Sequence, residues 1–266
     1  MKNKLPVSVF IISTNEETRI KRTIQAVIDW VDEVVLIDGG STDKTPEIAK
    51  KLGCKVIKNK WQGYGPQKIF GEKQCKNDWI LNLDSDEIIT PELKEEIITL
   101  FKTNQQNQYF GYRIKIVNIF KNEEKPKLFA YYYNQTRLYN HKKAGFRNSK
   151  VHDSVIVSGV KEYSEKERKV VGQLKNRILH DFMISYNQWI EKINKYTQML
   201  AVDAVKEGKK VSKMKLMVMP IFLFLKVYFI RRYFLYGING LVFSHVYTMS
   251  KYLKYVKINE LTQERK

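Results

Sequence analysis

Apolar positions along the first hundred residues repeat with two periods in turn. Residues 7–13, 34–38, 55–58 and 79–83 are short runs, mostly β-branched, aliphatic or aromatic, of strand length. Between them, residues 19–30 place Ile20, Ile24, Val27 and Ile28 at helical spacing. A second helix opens at Thr45-Pro46-Glu47, with proline in the first turn, where its missing N–H costs nothing. Residues 65–74 read as a helix, and Thr90-Pro91-Glu92 starts another that runs to about residue 103. Short strands alternating with helices predict an α/β fold with a doubly wound, mostly parallel sheet.

The pattern loosens beyond residue 104. Residues 111–120 and 131–139 read as further strands, 160–170 as a charged loop or hairpin, and 185–206 as a long amphipathic helix with Trp189, Ile193, Tyr196, Leu200 and Ala204 on one face. Residues 216–230 are the most apolar stretch. They are interrupted by Pro220 and Lys226, flanked by Lys213, Lys215, Arg231 and Arg232, and too short for a span of about 20 apolar residues. The expectation is a segment lying in a membrane interface; the alternative is a core helix. The division expected is a catalytic domain over 1–180 and a helical, basic region over 181–266.

Composition narrows the reading. At 43% hydrophobic and 12% aromatic, the 266-residue chain can bury a substantial core, which excludes global disorder. The net charge of +19 divides as +3 over residues 1–130 and +16 over 131–266, so the second half points to an anionic partner. The basic residues form no nucleic-acid motif, and no nucleic acid is expected. Cys54 and Cys75 have no metal-ligand spacing, consistent with a reduced, cytoplasmic setting. The N-terminal apolar run has a faint signal-peptide look but lacks a cleavage site and reads as the first strand.

The chemistry gathers where strands end. The run 79–83 stops at Asp84-Ser85-Asp86, two carboxylates that repel each other unless a cation lies between them. Hard oxygen ligands suit Mg²⁺ or Mn²⁺. In an open α/β sheet, ligands bind outside the carboxyl ends of the strands. The loops Ser13-Thr14-Asn15-Glu16 and Asp38-Gly39-Gly40-Ser41-Thr42-Asp43 end at that same edge, so Glu16, Asp38, Asp84 and Asp86 are expected to converge. Asp38 suits nucleobase or ribose donors. No G-x-G-x-x-G follows the first strand and no Walker-type loop occurs, so Lys68 and the Asp-x-Asp ion are candidates to neutralise phosphate. His152, His180, Trp61 and Trp189 have structural readings as good as their functional ones. His180 is also a candidate metal ligand or diphosphate contact.

As an ordered set, Asn15-Glu16, Ile37-Asp38-Gly39-Gly40-Ser41-Thr42-Asp43, Gly65-Pro66-Gln67-Lys68 and Leu83-Asp84-Ser85-Asp86-Glu87 resemble the family 2 inverting glycosyltransferases of the A-type, Rossmann-like fold. Trp61-Gln62-Gly63-Tyr64, Arg137-Leu138-Tyr139, Val151-His152-Asp153 and Arg231-Arg232-Tyr233-Phe234 resemble the bacterial lipopolysaccharide-core glucosyltransferases. The resemblance implies transfer of a hexose from a nucleotide-diphosphate donor, expected to be a UDP-sugar, to a glycolipid or lipopolysaccharide-core acceptor. In that reading Glu16 and Asp38 hold the nucleoside, Thr14 lines its entrance, and Lys68 and Arg137 meet phosphate. Asp84, Asp86 and His180 hold the divalent ion. Asp153 stands where the family has the Glu of Val-His-Glu and is the expected base. The family's aromatic-Pro-Asp before Gln-x-Arg-Leu is Tyr132-Tyr133-Asn134 here. A polyprenyl-phosphate, capsule or protein-glycan acceptor, or a nucleotidyltransferase, are the alternatives. The implied location is the inner face of the cytoplasmic membrane, held peripherally by anionic lipid.

Overall fold

The computed structural model describes residues 4–120, 123–148, 154–158, 160 and 164–263, which divide into two compact units. The first comprises 1–118 and 132–181, and the second 119–131 and 182–266. Residues 119–131 thus belong with the helical region, across the boundary expected at 180/181.

The first unit is built on an eight-stranded sheet. Its strands are β1 (Leu5–Ser13), β2 (Val31–Asp38), β3 (Lys55–Lys58), β4 (Trp79–Asp84), β5 (Glu87–Ile89), β6 (Gly111–Ile119), β7 (Tyr132–Asn140) and β10 (Val171–Asp181), in the order β3-β2-β1-β4-β7-β6-β10-β5. A separate hairpin pairs β8 (Ala144–Phe146) with β9 (Val155–Val157). β1 to β4 are parallel, while β7 turns antiparallel against both β4 and β6. Helices α1 (Ile20–Gln25), α2 (Thr45–Lys51), α3 (Tyr64–Lys73), α4 (Pro91–Lys102) and α5 (Glu165–Val170) complete the unit.

The apolar runs become strands because both of their faces are covered. Val7, Val9 and Ile11 enter one core with Ile20, Ile24, Leu36 and Leu81; Phe10, Ile12, Val35, Ile37 and Ile80 enter the other with Tyr139 and Phe146. Thr90 caps α4, its side chain accepting from Leu93 N–H at 3.3 Å, and Pro91 fills the first turn. Within 160–170, the described residues 165–170 are helical. Ser164 accepts from Glu167 N–H and starts α5 there. The N-terminal apolar run is β1, fully inserted in the sheet.

The second unit contains α6 (Tyr186–Lys206), α7 (Lys213–Leu225) and α8 (Gly237–Gln263). Its aromatic core centres on Phe243, stacked 4.1 Å from Tyr233 and 5.4 Å from Trp189, so Trp189 is packing. Gly240 is required where α8 crosses the 233–236 turn, because a Cβ would overlap the Tyr233 carbonyl. α7 buries none of its residues. Met214, Met217, Val218, Ile221, Phe222, Phe229 and Ile230 are all 56–71% exposed. Most of this stretch is therefore open, while Val227 in the turn after α7 is fully buried in the aromatic core. None of the described helices is long and apolar enough to cross a membrane.

Candidate active site at the carboxyl edge of the sheet

Strand register brings the acidic loops together. Ser13 lies opposite Asp38 and Ile12 opposite Asp84, so β2, β1 and β4 end at one level. The first two loops are laced by short-range hydrogen bonds. Asn15 N–H donates to Ser41 Oγ (3.0 Å), Thr42 N–H to Asn15 Oδ1 (2.8 Å), and Glu16 N–H to Thr45 Oγ1 (2.8 Å). Asn15 takes φ +56°, a left-handed conformation that asparagine tolerates. Thr14 Oγ1 donates to Ser13 O, and together with the Trp61 ring it occupies the space a side chain at Gly39 would need. Trp61 is 38% exposed and packs edge-on against Tyr64 at 5.0 Å.

Asp38 is fully buried. Its Oδ1 accepts from Ser41 N–H at 3.0 Å, but Oδ2 has no partner, and neither does Ser13 Oγ beside it. An unsatisfied buried polar group costs about 1–3 kcal/mol, and two lie in register here across β1 and β2. Glu16 is arranged differently. Arg19 holds both of its oxygens, at 2.8 Å through Nε and 2.7 Å through a terminal nitrogen. Arg19 also reaches Asp86 at 3.4 Å and the Asp181 carbonyl. Glu16 is therefore held in an internal fork with Arg19.

The two Asp-x-Asp carboxylates do not share one cation. Asp84 meets Lys68 Nζ at 2.8 Å and Arg137 at 2.7 Å; Asp86 meets Arg19 at 3.4 Å and His180 Nε2 at 3.5 Å. Side chains thus supply counter-charge to both carboxylates. Lys68 is fully buried on α3 and lies 5.1 Å above the Phe146 ring. Arg137, 2% exposed, also donates to Asn82 Oδ1 at 2.7 Å and to Glu87 at 2.5 Å. Burial works to raise the pKa of Asp84, but Arg137 and Lys68 outweigh it and hold the carboxyl well below the ordinary range. Burial likewise opposes ionisation of Asp86, and His180 with Arg19 overcomes it. Glu87 goes the other way: burial, reinforced by Asp84, outweighs Arg137 and raises it. Asp86 in turn raises His180 against the effect of its burial.

Among the described residues no three His, Cys, Asp or Glu side chains form a metal-holding group. Asp86 and His180 still fit part of a divalent site. His180 Nδ1 lies 3.0 Å from Asn118 Oδ1 and 3.4 Å from Tyr133 Oη. Nε2 faces Asp86 Oδ2 at 3.5 Å, so the imidazole is oriented with that nitrogen toward the carboxylate. Asp153 and His152 lie outside the described residues. Burial pushes both cysteines up to about 12, which removes them as nucleophiles.

Sequence reasoning did not anticipate Arg19, Asn82, Glu87 or Asn118. The available signal was electrostatic: four carboxylates at one sheet edge require internal cations. Arg19, three residues after Glu16, was within reach of that inference.

Residues 8–173 match the model of the family described as glycosyl transferase family 2. An uncharacterized glycosyltransferase of Rickettsia conorii is 40% identical over 98% of this chain and 92% of its own length. The lipopolysaccharide core biosynthesis glycosyltransferase LpsC of Rhizobium meliloti is 27% identical over 96% and 92%. Among solved structures, glucosyl-3-phosphoglycerate synthase from Mycobacterium tuberculosis, in complex with Mn²⁺, UDP and phosphoglyceric acid, is 23% identical over 44% of this chain and 43% of that one. Its TM-score of 0.33 is too low to carry an argument. With its acidic loops in register at one edge of a mostly parallel sheet, and with family and relatives matching over most of its length, the chain belongs to glycosyl transferase family 2.

Proposed function

We propose that this glycosyltransferase is an inverting hexosyltransferase that takes a sugar from a nucleotide-diphosphate donor, a UDP-sugar by preference, and passes it to a saccharide acceptor of lipopolysaccharide-core type. The observation that carries the donor half is the pair of unpartnered buried oxygens, Asp38 Oδ2 and Ser13 Oγ, at the ends of β2 and β1. A nucleobase N–H or ribose hydroxyl supplies the donor that Asp38 lacks, and Thr14 and Trp61 pack closely on Gly39, the residue after it. The acceptor half rests on the likeness to the core glycosyltransferase over most of both chains.

In this reading Asp86 and His180, with Asp84 beside them, hold a divalent ion, Mg²⁺ or Mn²⁺, whose chemistry is to neutralise charge on the diphosphate. Lys68 and Arg137 keep Asp84 ionised and fixed. Asp153, the residue before Ser154, removes the proton from the acceptor hydroxyl as that oxygen attacks the anomeric carbon from the face opposite the diphosphate. A single displacement inverts the centre, and a general base of this kind contributes about 10²–10⁴-fold.

The second unit serves a peripheral membrane location at the inner leaflet. The exposed Met, Ile and Phe side chains of α7 and the turn after it are accompanied by Lys213, Lys215, Lys226, Arg231 and Arg232. Each basic residue near anionic lipid contributes about 1 kcal/mol.

The test is a calorimetric panel of UDP, GDP and dTDP, each with Mg²⁺ or Mn²⁺, on wild type and Asp38→Ala. Preferential UDP binding that weakens at least tenfold in Asp38→Ala supports the reading. Equal binding of all three, or no effect of the substitution, refutes the assignment of Asp38.

A further inference from the structure

The first unit contains a cavity of about 300 Å³ lined from β6, β7, the β8–β9 hairpin and α5, with Arg113, Gln135, Arg137, Phe146, Ser154 and Glu167 among the residues around it. It adjoins the carboxylate cluster through two shared residues. Arg137 lines it while holding Asp84 at 2.7 Å, and Phe146 lines it while Lys68 sits 5.1 Å from the ring centre. A ligand here lies one side chain away from the place proposed for the donor diphosphate.

Its charges are balanced. Arg113 pairs with Glu167 at 3.0 Å, and that carboxylate side chain is only 7% exposed; Arg137 is paired with Asp84 and Glu87. An anionic ligand would have to displace a buried carboxylate from its arginine, and a cationic one would face two guanidinium groups. Either costs several kcal/mol of uncompensated burial. A neutral ligand bearing hydroxyls meets no such penalty, because each hydroxyl can donate to a carboxylate and accept from a guanidinium. The Gln135 side-chain amide makes no hydrogen bond to another described residue, so it offers one donor and one acceptor group at the wall. Phe146 adds an apolar stretch of wall. At about 300 Å³ the cavity is at the lower limit for ligand sites, enough for one sugar ring and not for a chain.

We infer that this cavity binds a single neutral hexopyranosyl unit, the sugar of the acceptor that receives the transferred residue, with Gln135 and the Arg113–Glu167 pair selecting against charged sugars. The inference rests on the glycosyltransferase reading above and adds the acceptor's charge class.

The experiment is saturation-transfer NMR on full-length protein with methyl α-glucoside, methyl α-mannoside and methyl β-galactoside, set against glucuronate and glucose 6-phosphate. UDP affinity is measured on the same samples. At least one neutral glycoside should give a signal that falls several-fold in Gln135→Ala while UDP affinity is unchanged. Glu167→Gln, which leaves Arg113 unopposed, should shift preference toward glucuronate. Stronger signals from the charged sugars in wild type overturn the inference, as does no neutral signal at all, or the same neutral signal in Gln135→Ala. Loss of UDP binding by wild type counts against the donor reading and leaves the sugar result to stand by itself.

Discussion

Replacing Arg137 by methionine is the sharpest test of how the carboxylate cluster is held. The guanidinium donates to Asn82 Oδ1, Asp84 Oδ2 and Glu87 Oε1 from a position that is 2% exposed. Methionine keeps most of the aliphatic stem and removes all three bonds. Asp84 retains Lys68 at 2.8 Å and a side chain that is 34% exposed, so it keeps a counter-ion and some water. Glu87 is 1% exposed and keeps only its bond to Asp84 N–H at 3.0 Å. Breaking a buried pair from one side costs about 3–5 kcal/mol. The raised pKa of Glu87, set by its burial and by Asp84, places the loss at the lower end, because the carboxyl can take up a proton instead of remaining as a bare charge. Urea unfolding of Arg137→Met should therefore show about 3 kcal/mol less stability at neutral pH, with an unchanged slope. Arg137→Met/Glu87→Gln should recover about 1–2 kcal/mol of it, since an amide carries no charge to strand. A loss below about 1 kcal/mol in the single variant, or no recovery in the double, would refute the account of Arg137 as the buried counter-ion of Glu87.

Three further outcomes follow from other parts of the molecule. Asp86→Asn should abolish the metal-dependent part of UDP binding measured by calorimetry; an unchanged Mn²⁺ dependence removes Asp86 from the ion site. Glu72 accepts from Tyr139 O–H at 2.7 Å and Phe146 N–H at 3.1 Å, and burial raises its pKa above 4.5. The folded state then holds a proton that the unfolded chain has lost, so this residue's contribution falls as pH rises from about 4.5 through the folded pKa, and Glu72→Gln should be relatively more stable at pH 8 than at pH 4. For the membrane surface, changing Met217, Ile221, Phe222 and Phe229 to Ser should eliminate the part of anionic-liposome binding that high salt does not release. These side chains are 56–69% exposed, so thermal stability should be little changed. A wild type that ignores liposomes at every salt concentration would end the membrane reading.

The strands and helices of the first hundred residues were legible because each is a local pattern. Buried runs such as Val7–Ile12 and capped starts such as Thr90-Pro91 carry their own signal. β10 was not legible: Val171–Asp181 alternates only weakly and carries Lys175, Arg177 and His180, and it is a strand because β5 and β6 are there to pair with it. α8 falls within the helical region expected over 181–266 but was not placed as an element, for a related reason. Its apolar residues are spread around the helix, with Lys251, Lys254 and Lys257 among its tyrosines, so no stripe of helical period stands out. In the site, the acidic residues were visible as strand-end motifs, whereas their partners were not, because nothing local ties Arg137 to Asn82 or Arg19 to Asp181. The side-chain cations beside Asp84 and Asp86 were likewise invisible in the Asp-x-Asp motif itself.

The two halves of the site differ in how far apart along the chain their parts lie. The nucleoside loops join residues 26–29 positions apart, through Asn15–Ser41 and Glu16–Thr45. The ion half joins Arg19 to Asp181 across 162 positions, and His180 to Asn118 across 62. Loop closure over such separations is slow and comes after the local contacts form. During synthesis, the Asn15–Ser41 and Glu16–Thr45 contacts can form while β10 is still unmade, and Asp86 remains without His180 until it arrives. On the proposed reading, the timetable of folding separates recognition from reactivity: the loops proposed to hold the nucleoside can be in place well before the half proposed to meet the diphosphate is complete.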